Sequence, residues 1–124
     1  MSPDAQKAKL AALLGFLGVA LGAFGAHGLE GALTAHGTVE IWKTASHYHL
    51  IHAVVLLVLA LFSGTDAPAR YGWWSFMLGV LIFSGSLYIL AVTGVKWLGA
   101  ITPIGGLLLL IGWLLTALRR WPRA

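Results

Sequence analysis

The chain has 124 residues, of which 59% are hydrophobic and 10% are charged, and it contains no cysteine. This composition excludes an ordinary soluble domain, and the lack of thiols excludes disulfides, thiolate metal sites and cysteine nucleophiles. The formal net charge of +4 would suggest nucleic acid binding in a soluble protein. Here we expect the basic residues to contact anionic lipid head groups, and nucleic acid is not an expected partner.

Four apolar stretches account for most of the chain, at about residues 8–27, 44–63, 72–93 and 102–119. Each is close to the roughly 20 residues that a helix needs to cross a hydrocarbon core of about 30 Å. The stretches do not alternate apolar and polar residues, which favours helices over a membrane β-barrel. We therefore predict an all-α fold, a four-helix transmembrane bundle in which residues 1–124 form a single polytopic domain.

The first stretch has a glycine at every third or fourth position, which places the glycines on one face of a helix. They are Gly15, Gly18, Gly22 and Gly25. A neighbouring backbone can approach such a face closely, as in packed membrane helices. The stretch could also be a cleaved signal peptide, because Lys7 and Lys9 precede it and small residues follow it. A signal peptide has no use for a packing face, so we predict a retained helix at a tight crossing.

The segment between the first two stretches contains several residues that interrupt or start helices. A break after the first helix is predicted from Gly28, Gly31 and Gly37. Thr38 is then a candidate N-cap for a continuous helix over residues 39–62. That helix would be about 36 Å long at 1.5 Å per residue, which exceeds the hydrocarbon core. We expect it to begin above the membrane.

Glycine and proline also mark the boundaries of the last two helices. Gly94 is suited to end the third helix, and Pro103 to occupy the first turn of the fourth. Gly105 and Gly106 follow at once and predict close packing against a neighbour. Trp113 falls deep in the fourth helix, so its indole N–H is expected to need a hydrogen-bond partner.

Six of the eight basic residues lie on one side of the four stretches. They are Lys7, Lys9, Arg70, Arg119, Arg120 and Arg123. By the positive-inside rule, both termini and the loop at residues 63–72 face the cytoplasm. The connections at residues 28–46 and 94–100 then face outward. We predict a multi-pass protein of the bacterial inner (plasma) membrane.

The polar residues within the predicted spans collect in their outward halves. The candidate binding residues among them are His27, Tyr48, His52, Ser84, Ser86 and Tyr88. Polar groups are costly in a membrane and are therefore candidates for function. Because the cytoplasmic halves hold few polar residues, the pattern predicts a pocket or hydrogen-bond network entered from outside rather than a pore.

Metal or haem binding is one interpretation of the histidines. His49 and His52 are three residues apart on one helix, and His27 could supply a third metal ligand from the facing helix. Alternatively, one histidine from each helix, His27 and His52, could hold a haem. The interpretation that we favour is structural hydrogen bonding between helices. No carboxylate lies within any span, which weakens proton-coupled transport and metal-assisted hydrolysis.

A serine nucleophile is not expected, although Ser84-Gly85-Ser86 superficially suggests one. The segment lacks a strand-to-helix elbow, and no base stands beside it in the sequence. Small residues at a helix crossing are the better interpretation. We therefore predict that the protein is not an enzyme.

Four motifs in chain order resemble the YgdD-like family of small bacterial membrane proteins, a domain of unknown function. They are LGAFGAH at residues 21–27, Trp42-x-Thr44-Ala45-x-x-Tyr48-x-x-x-His52, FSGSLY at residues 83–88, and Thr102-Pro103-x-Gly105-Gly106 with Gly112-Trp113. The resemblance implies a four-helix inner-membrane protein and carries no established activity. Its motif includes the positions of His27 and His52 but not those of His47 and His49. The resemblance thus ranks His27 with His52 above the pair His49 and His52.

The function we predict is a non-enzymatic packing or accessory protein of the lipid bilayer, associated with a second copy or a larger membrane complex. Two alternatives stay open. One is a metal- or haem-binding protein that uses His27 and His52, with Tyr48 nearby. The other is a transporter or channel component, which would need to oligomerise because four helices enclose little volume. The sequence does not identify a cofactor.

Overall fold

The computed structural model describes residues 2–123 and is helical throughout. Its elements are α1 (Ala5–Ala26), α2 (Glu30–His36), α3 (Val39–Leu61), α4 (Ala67–Thr93), a short 3₁₀ helix (Lys96–Ala100) and α5 (Thr102–Leu118). Four helical segments are long and apolar enough to cross a membrane, namely α1, α3, α4 and Lys96–Leu118. Within residues 2–123 the sole β pairing is an isolated bridge between Ser2 and Ser63. The predicted all-α fold with four spans is confirmed.

The four long helices pack as a row in the order α1, α3, α4, α5. The central pair is α3 and α4, with α1 packed on α3 and α5 packed on α4. No Cα atom of α5 comes within 8 Å of one in α1 or α3 over the described chain. The outer helices therefore leave much of their surface to the bilayer. Phe16 of α1 and Leu110 of α5, for example, are 69% and 67% exposed.

The core lies along the contact of α3 with α4. Trp73, Phe76 and Val80 of α4 are almost fully buried there, together with Leu56 of α3. The indole N–H of Trp73 donates to the carbonyl oxygen of Leu56 at 3.0 Å, so its polar group is satisfied inside the apolar core. Since lipid tails are as apolar as these side chains, close van der Waals packing rather than escape from water stabilises the contact.

The helix boundaries near Gly94 and Pro103 agree with the sequence. Gly94 ends α4 in the left-handed conformation with φ 71°, which a glycine adopts without steric cost. Pro103 lies in the first turn of α5. Thr38 precedes α3 as predicted, but its side chain does not cap that helix. Its hydroxyl instead donates to the carbonyl oxygen of Ala91 at 2.6 Å and ties the start of α3 to α4.

The predicted chain break at Gly31 is wrong, because Gly31 lies inside α2, a helix that the sequence did not indicate. This seven-residue helix ends at Gly37, which has φ 67°. Leu33 is buried and belongs to the same apolar cluster as Trp42 and Ala91. A helix this short is unstable by itself and forms only when packing supports it. The predicted interruption of the helix is therefore confirmed at Gly37 and wrong at Gly31.

The start of α1 and the end of α5 lie at one end of the row, which we call the terminal end. The N–H of Asp4 donates to the carbonyl oxygen of Ala60 at 2.8 Å, and the Arg119 guanidinium donates to the carbonyl oxygen of Phe62. The opposite end, called the α2 end, carries α2 and the short 3₁₀ helix. The predicted placement of both termini on one side is confirmed, and their cytoplasmic orientation stays a prediction.

At the terminal end an acidic and a basic side chain stabilise the loop between α3 and α4. Desolvation raises the pKa of Asp66, but the N–H groups of Arg120 and Ala69 and the charge of Arg119 together outweigh this effect. The pKa of Asp66 is therefore below its usual value. Arg119 is only 5% exposed, and its guanidinium also lies over the ring of Trp121. The start of α4 is thus joined electrostatically to the segment after α5.

Candidate functional site

The predicted glycine face of α1 lies against α3 and forms what we call the α1–α3 crossing. At Gly25 a Cβ atom would overlap the indole of Trp42, whose N–H donates to the carbonyl oxygen of Leu21 at 3.0 Å. At Gly18 a Cβ atom would lie 2.7 Å from Cδ2 of Leu50. Gly25 therefore requires the absence of a side chain, because the ring that it faces is buried and held by a hydrogen bond, whereas a side chain at Gly18 would have to displace the flexible end of Leu50.

The other two glycines of this face have more room. A Cβ atom at Gly15 would be 3.8 Å from Cβ of Ala53, which is an ordinary contact. A Cβ atom at Gly22 would have only Oγ of Ser46 nearby, at 4.0 Å. The face thus combines two tight contacts with two looser ones, and the loosest borders a cavity.

His49 is the most completely enclosed polar side chain at the α1–α3 crossing. It lies near the middle of α3, deeper than the sequence suggested, and is 4% exposed. Its Nε2 is 2.7 Å from the carbonyl oxygen of Leu14 in α1, and its Nδ1 is 2.8 Å from the hydroxyl of Tyr88 in α4. Because a carbonyl only accepts, Nε2 carries the proton, and Nδ1 of the neutral ring accepts from Tyr88. One imidazole therefore connects three helices.

The hydroxyl of Ser46 extends this connection towards the α2 end. It lies 3.4 Å from the hydroxyl oxygen of Tyr88. Tyr88 has one proton, and the shorter bond to His49 uses it, so the Ser46 hydroxyl is the donor in the longer contact. We call Leu14, His49, Tyr88 and Ser46 the His49 network.

Two of the predicted site serines make separate contacts between helices. Ser84 is 1% exposed, and its hydroxyl donates to the carbonyl oxygen of Ala45 in α3 at 2.8 Å. The Ser86 hydroxyl lies 2.7 Å from that of Thr102 at the start of α5. Each serine thus joins α4 to a different neighbour, and neither hydroxyl points to a common centre with the histidines.

His52 faces α4 and α5 rather than α1. Its Nδ1 lies 2.8 Å from the carbonyl oxygen of Tyr48, so Nδ1 carries the proton. Its Nε2 accepts from the indole N–H of Trp113 in α5 at 3.2 Å. The expected partner of the Trp113 indole is therefore a histidine side chain. His49 and His52 hold opposite tautomers, because the carbonyl oxygen lies at Nε2 of His49 and at Nδ1 of His52.

The contact between His52 and Trp113 crosses a space that we call the α3–α5 gap. It has a volume of about 500 Å³, and Phe83 of α4 and Gly106 of α5 also line it. The rings of Tyr48 and His52 are nearly parallel, 6° apart, with their centroids separated by 6.1 Å. The gap exists because α3 and α5 both pack on α4 and not on each other.

The structure does not bring the predicted metal or haem ligands together. His27 is an exposed C-cap residue at the α2 end of α1, whereas His52 lies near the middle of α3 and contacts Trp113. His49 and His52 direct their rings to different helices. From Ser2 to Arg123 no group of three or more His, Asp or Glu side chains could hold a metal ion.

The family resemblance ranks His52 above His49, yet the two side chains are equally buried, at 4% exposure each, and His49 is the one that contacts both α1 and α4. A signal for this was present in the sequence. His49 falls in a row with Ala45 and Ala53, spaced by four residues, and all three are buried. Small residues one turn before and after a polar residue indicate a helix face against which another backbone packs closely.

Comparisons with known proteins identify relatives along most of the chain. The family model for a protein of unknown function, DUF423, matches residues 21–106. A UPF0382 membrane protein of Staphylococcus haemolyticus is 48% identical over 86% of this chain and 87% of its own length. The UPF0382 membrane protein YwdK of Bacillus subtilis is 46% identical over 86% of this chain and 88% of its own length. No solved structure matches the chain significantly.

The names of these relatives and the four apolar helices agree on location: this is a multi-pass membrane protein in contact with the lipid bilayer. The predicted resemblance to a family of small membrane proteins without a known function is confirmed, whereas the narrower YgdD-like name stays a prediction. With the match covering more than half of its length, the chain belongs to the DUF423 family of proteins of unknown function.

Proposed function

We propose that the protein is a non-enzymatic structural component of the membrane, in which the buried polar side chains hold neighbouring helices together. The observation that carries the proposal is the saturation of the two buried histidines. All four ring nitrogens of His49 and His52 have hydrogen-bond partners within the chain.

A metal ligand or a general base needs an accessible nitrogen lone pair. The lone pair at Nδ1 of His49 accepts from Tyr88, and the lone pair at Nε2 of His52 accepts from Trp113. A metal or substrate proton at either nitrogen would have to displace a bond that already joins two helices. Hydrogen bonding between helices is therefore the better-supported role for these residues.

An accessory role follows from what the fold leaves accessible. The polar side chains of the core are used within the chain, so a second copy or a larger membrane complex would meet the outer surfaces of α1 and α5. Those surfaces are apolar and include Leu17 and Leu114, which are 50% and 60% exposed. In a bilayer such surfaces contact either lipid or another helix, where van der Waals packing determines the association.

Native mass spectrometry with thermal unfolding tests the proposal. The purified protein should have the mass of the chain, alone or in a fixed multiple, apart from lipid. His49→Ala and His52→Ala should leave that mass pattern unchanged and lower the unfolding temperature. His36→Ala is the control, because His36 is an exposed histidine that lines neither the α3–α5 gap nor the cavity beside Gly22.

A stoichiometric metal or haem that His52→Ala removes without changing the unfolding temperature would refute the structural role. Cross-linking in the native membrane tests the accessory role. A chain that yields only the monomer at every cross-linker length would contradict association with itself or a complex.

A further inference from the structure

A second cavity opens at the α2 end between α1, α2 and α3, and Ser46 of the His49 network lies in its lining. Its volume is about 510 Å³. We call it the α2 cavity. Its lining includes the charged side chains of Glu30 and Lys43, and apolar residues that include Gly22 and Leu50. It is therefore amphipathic, with ionic groups and hydrocarbon in one lining.

The polar and apolar parts of the α2 cavity lie at different depths. Glu30 begins α2, and Lys43 lies in the second turn of α3, so both are close to the ends of the spans. Gly22 of α1 and Leu50 of α3 lie closer to the middle of the spans. The Leu50 side chain, seated over Gly18, bounds the cavity at its deeper end. This order matches an amphiphile whose head group is at the interface and whose chain enters the apolar layer.

The two charged groups of the lining have opposite signs and do not pair with each other. Lys43 pairs instead with Glu40 at 3.4 Å, and both of these side chains are exposed. Glu40 does not line the cavity. A ligand that carries both charges would place its anion near Lys43 and its cation near Glu30. A ligand with a single charge would match only one of the two side chains.

We propose that the α2 cavity binds a zwitterionic phospholipid with a primary ammonium head group, namely phosphatidylethanolamine. Its ammonium donates to the Glu30 carboxylate, and its phosphate accepts from the Lys43 ammonium. One acyl chain passes beside Gly22 towards Leu50. A choline head group cannot donate a hydrogen bond to Glu30, and a glycerol head group offers it no cation.

Native mass spectrometry after reconstitution tests this selectivity. The full chain is incorporated into vesicles containing equal amounts of phosphatidylethanolamine, phosphatidylcholine and phosphatidylglycerol with identical acyl chains, and is then released gently. We expect one retained phosphatidylethanolamine per chain, in about fivefold excess over either competitor. Retention in the proportions of the vesicle, or retention of phosphatidylglycerol in excess, would overturn the proposal.

Gly22→Leu tests whether the lipid occupies the cavity. The new side chain would fill the space beside Ser46, and its first atom meets no other group within 4 Å. We expect loss of the retained lipid with an unchanged unfolding temperature. Gly31→Leu is the matched control, because Gly31 is also helical, has open space around it and does not line the cavity. Equal lipid retention by the two variants would refute the site.

Charge variants test the head group independently of the cavity volume. Glu30→Gln should abolish the preference for phosphatidylethanolamine over phosphatidylcholine, and Lys43→Gln should reduce retention of both by about fivefold. Glu40→Gln is the control, since it removes a neighbouring charge outside the lining. This variant should still prefer phosphatidylethanolamine over phosphatidylcholine. If Glu40→Gln weakens the preference as much as Glu30→Gln, the effect comes from surface charge and the proposed contact is wrong.

Discussion

A buried histidine of α3 bonds to α1 and another bonds to α5, but the two contacts are built differently. At the α1–α3 crossing, glycines let the two backbones approach, and His49 reaches the carbonyl oxygen of Leu14 directly. At the α3–α5 gap no backbone approach occurs, and His52 meets α5 only through the long indole of Trp113. Where small residues permit a close crossing, a histidine bonds to backbone. Where another helix intervenes in the row, it bonds to a large side chain.

This difference has an energetic consequence. Hydrogen bonds between membrane helices contribute about 0.6 kcal/mol on average and up to about 1.7 kcal/mol. Steric overlap in a packed core costs about 1–3 kcal/mol, occasionally more. The crossing should therefore be most sensitive to added volume, and the gap should be most sensitive to loss of its one side-chain hydrogen bond.

Gly25→Leu should produce the largest effect. Its Cβ atom would overlap the indole of Trp42, which is 4% exposed and bonded to Leu21, so the ring cannot move without losing packing and a hydrogen bond. We expect a loss of about 3 kcal/mol in the free energy of unfolding, measured by denaturant titration in detergent with circular dichroism. Gly22→Ala, on the same face but with open space, is the control and should be nearly neutral. A stable Gly25→Leu variant would mean that α1 does not cross α3 here.

The positions of the spans were predictable because they depend on local properties. Four apolar stretches of sufficient length, ended by residues such as Gly94 and started by Pro103, determine them without reference to the rest of the fold. The α2 helix was not predictable in this way. Its stability depends on Leu33, which packs against residues from α3 and α4.

The candidate site was predictable only in its composition. The sequence identified the polar residues of the spans, but it grouped His27 with His52, which the structure separates. Which helix a polar side chain faces depends on the order of the helices in the row, and periodicity within one helix does not contain that order. The glycine face was predictable, whereas the partner of each glycine was not. The need of Trp113 for a hydrogen-bond partner could be predicted from its depth in the fourth apolar stretch, while the identity of that partner depends on the gap.

Among the histidine substitutions, His49→Ala should have the largest effect. It removes two hydrogen bonds, leaves the Tyr88 hydroxyl without its acceptor and opens a small cavity beside Gly18. We expect a loss of about 1–2 kcal/mol in the free energy of unfolding. A double-mutant cycle with Tyr88→Phe, measured by the same titration, should give a coupling energy of about 0.6–1.7 kcal/mol. Additive effects of the two substitutions would contradict the assigned hydrogen bond.

His52→Ala should cost less, about 1 kcal/mol, because only one of its two hydrogen bonds joins different helices and the other is to Tyr48 on the same helix. Trp113→Phe keeps an aromatic ring in the gap and removes only the indole donor, so it isolates the same bond. The double variant should lose less free energy of unfolding than the sum of the two single losses, because both substitutions remove the same hydrogen bond. If the two substitutions add fully in denaturant titrations, His52 and Trp113 do not interact.

Gly106→Ala should have the smallest effect and provides the sharpest contrast with its neighbour. At Gly106 a Cβ atom would meet the ring of Phe83 at 3.7 Å, an ordinary contact at the edge of the α3–α5 gap. At Gly105 it would overlap the backbone of Phe83, which cannot move away without displacing α4. We expect Gly106→Ala to change the free energy of unfolding by less than about 0.5 kcal/mol, and Gly105→Ala to lower it by about 1–3 kcal/mol. If Gly106→Ala were the more destabilising variant in denaturant titrations, α5 would pack on α4 through Gly106 and not through Gly105. That result would contradict the α3–α5 gap beside His52.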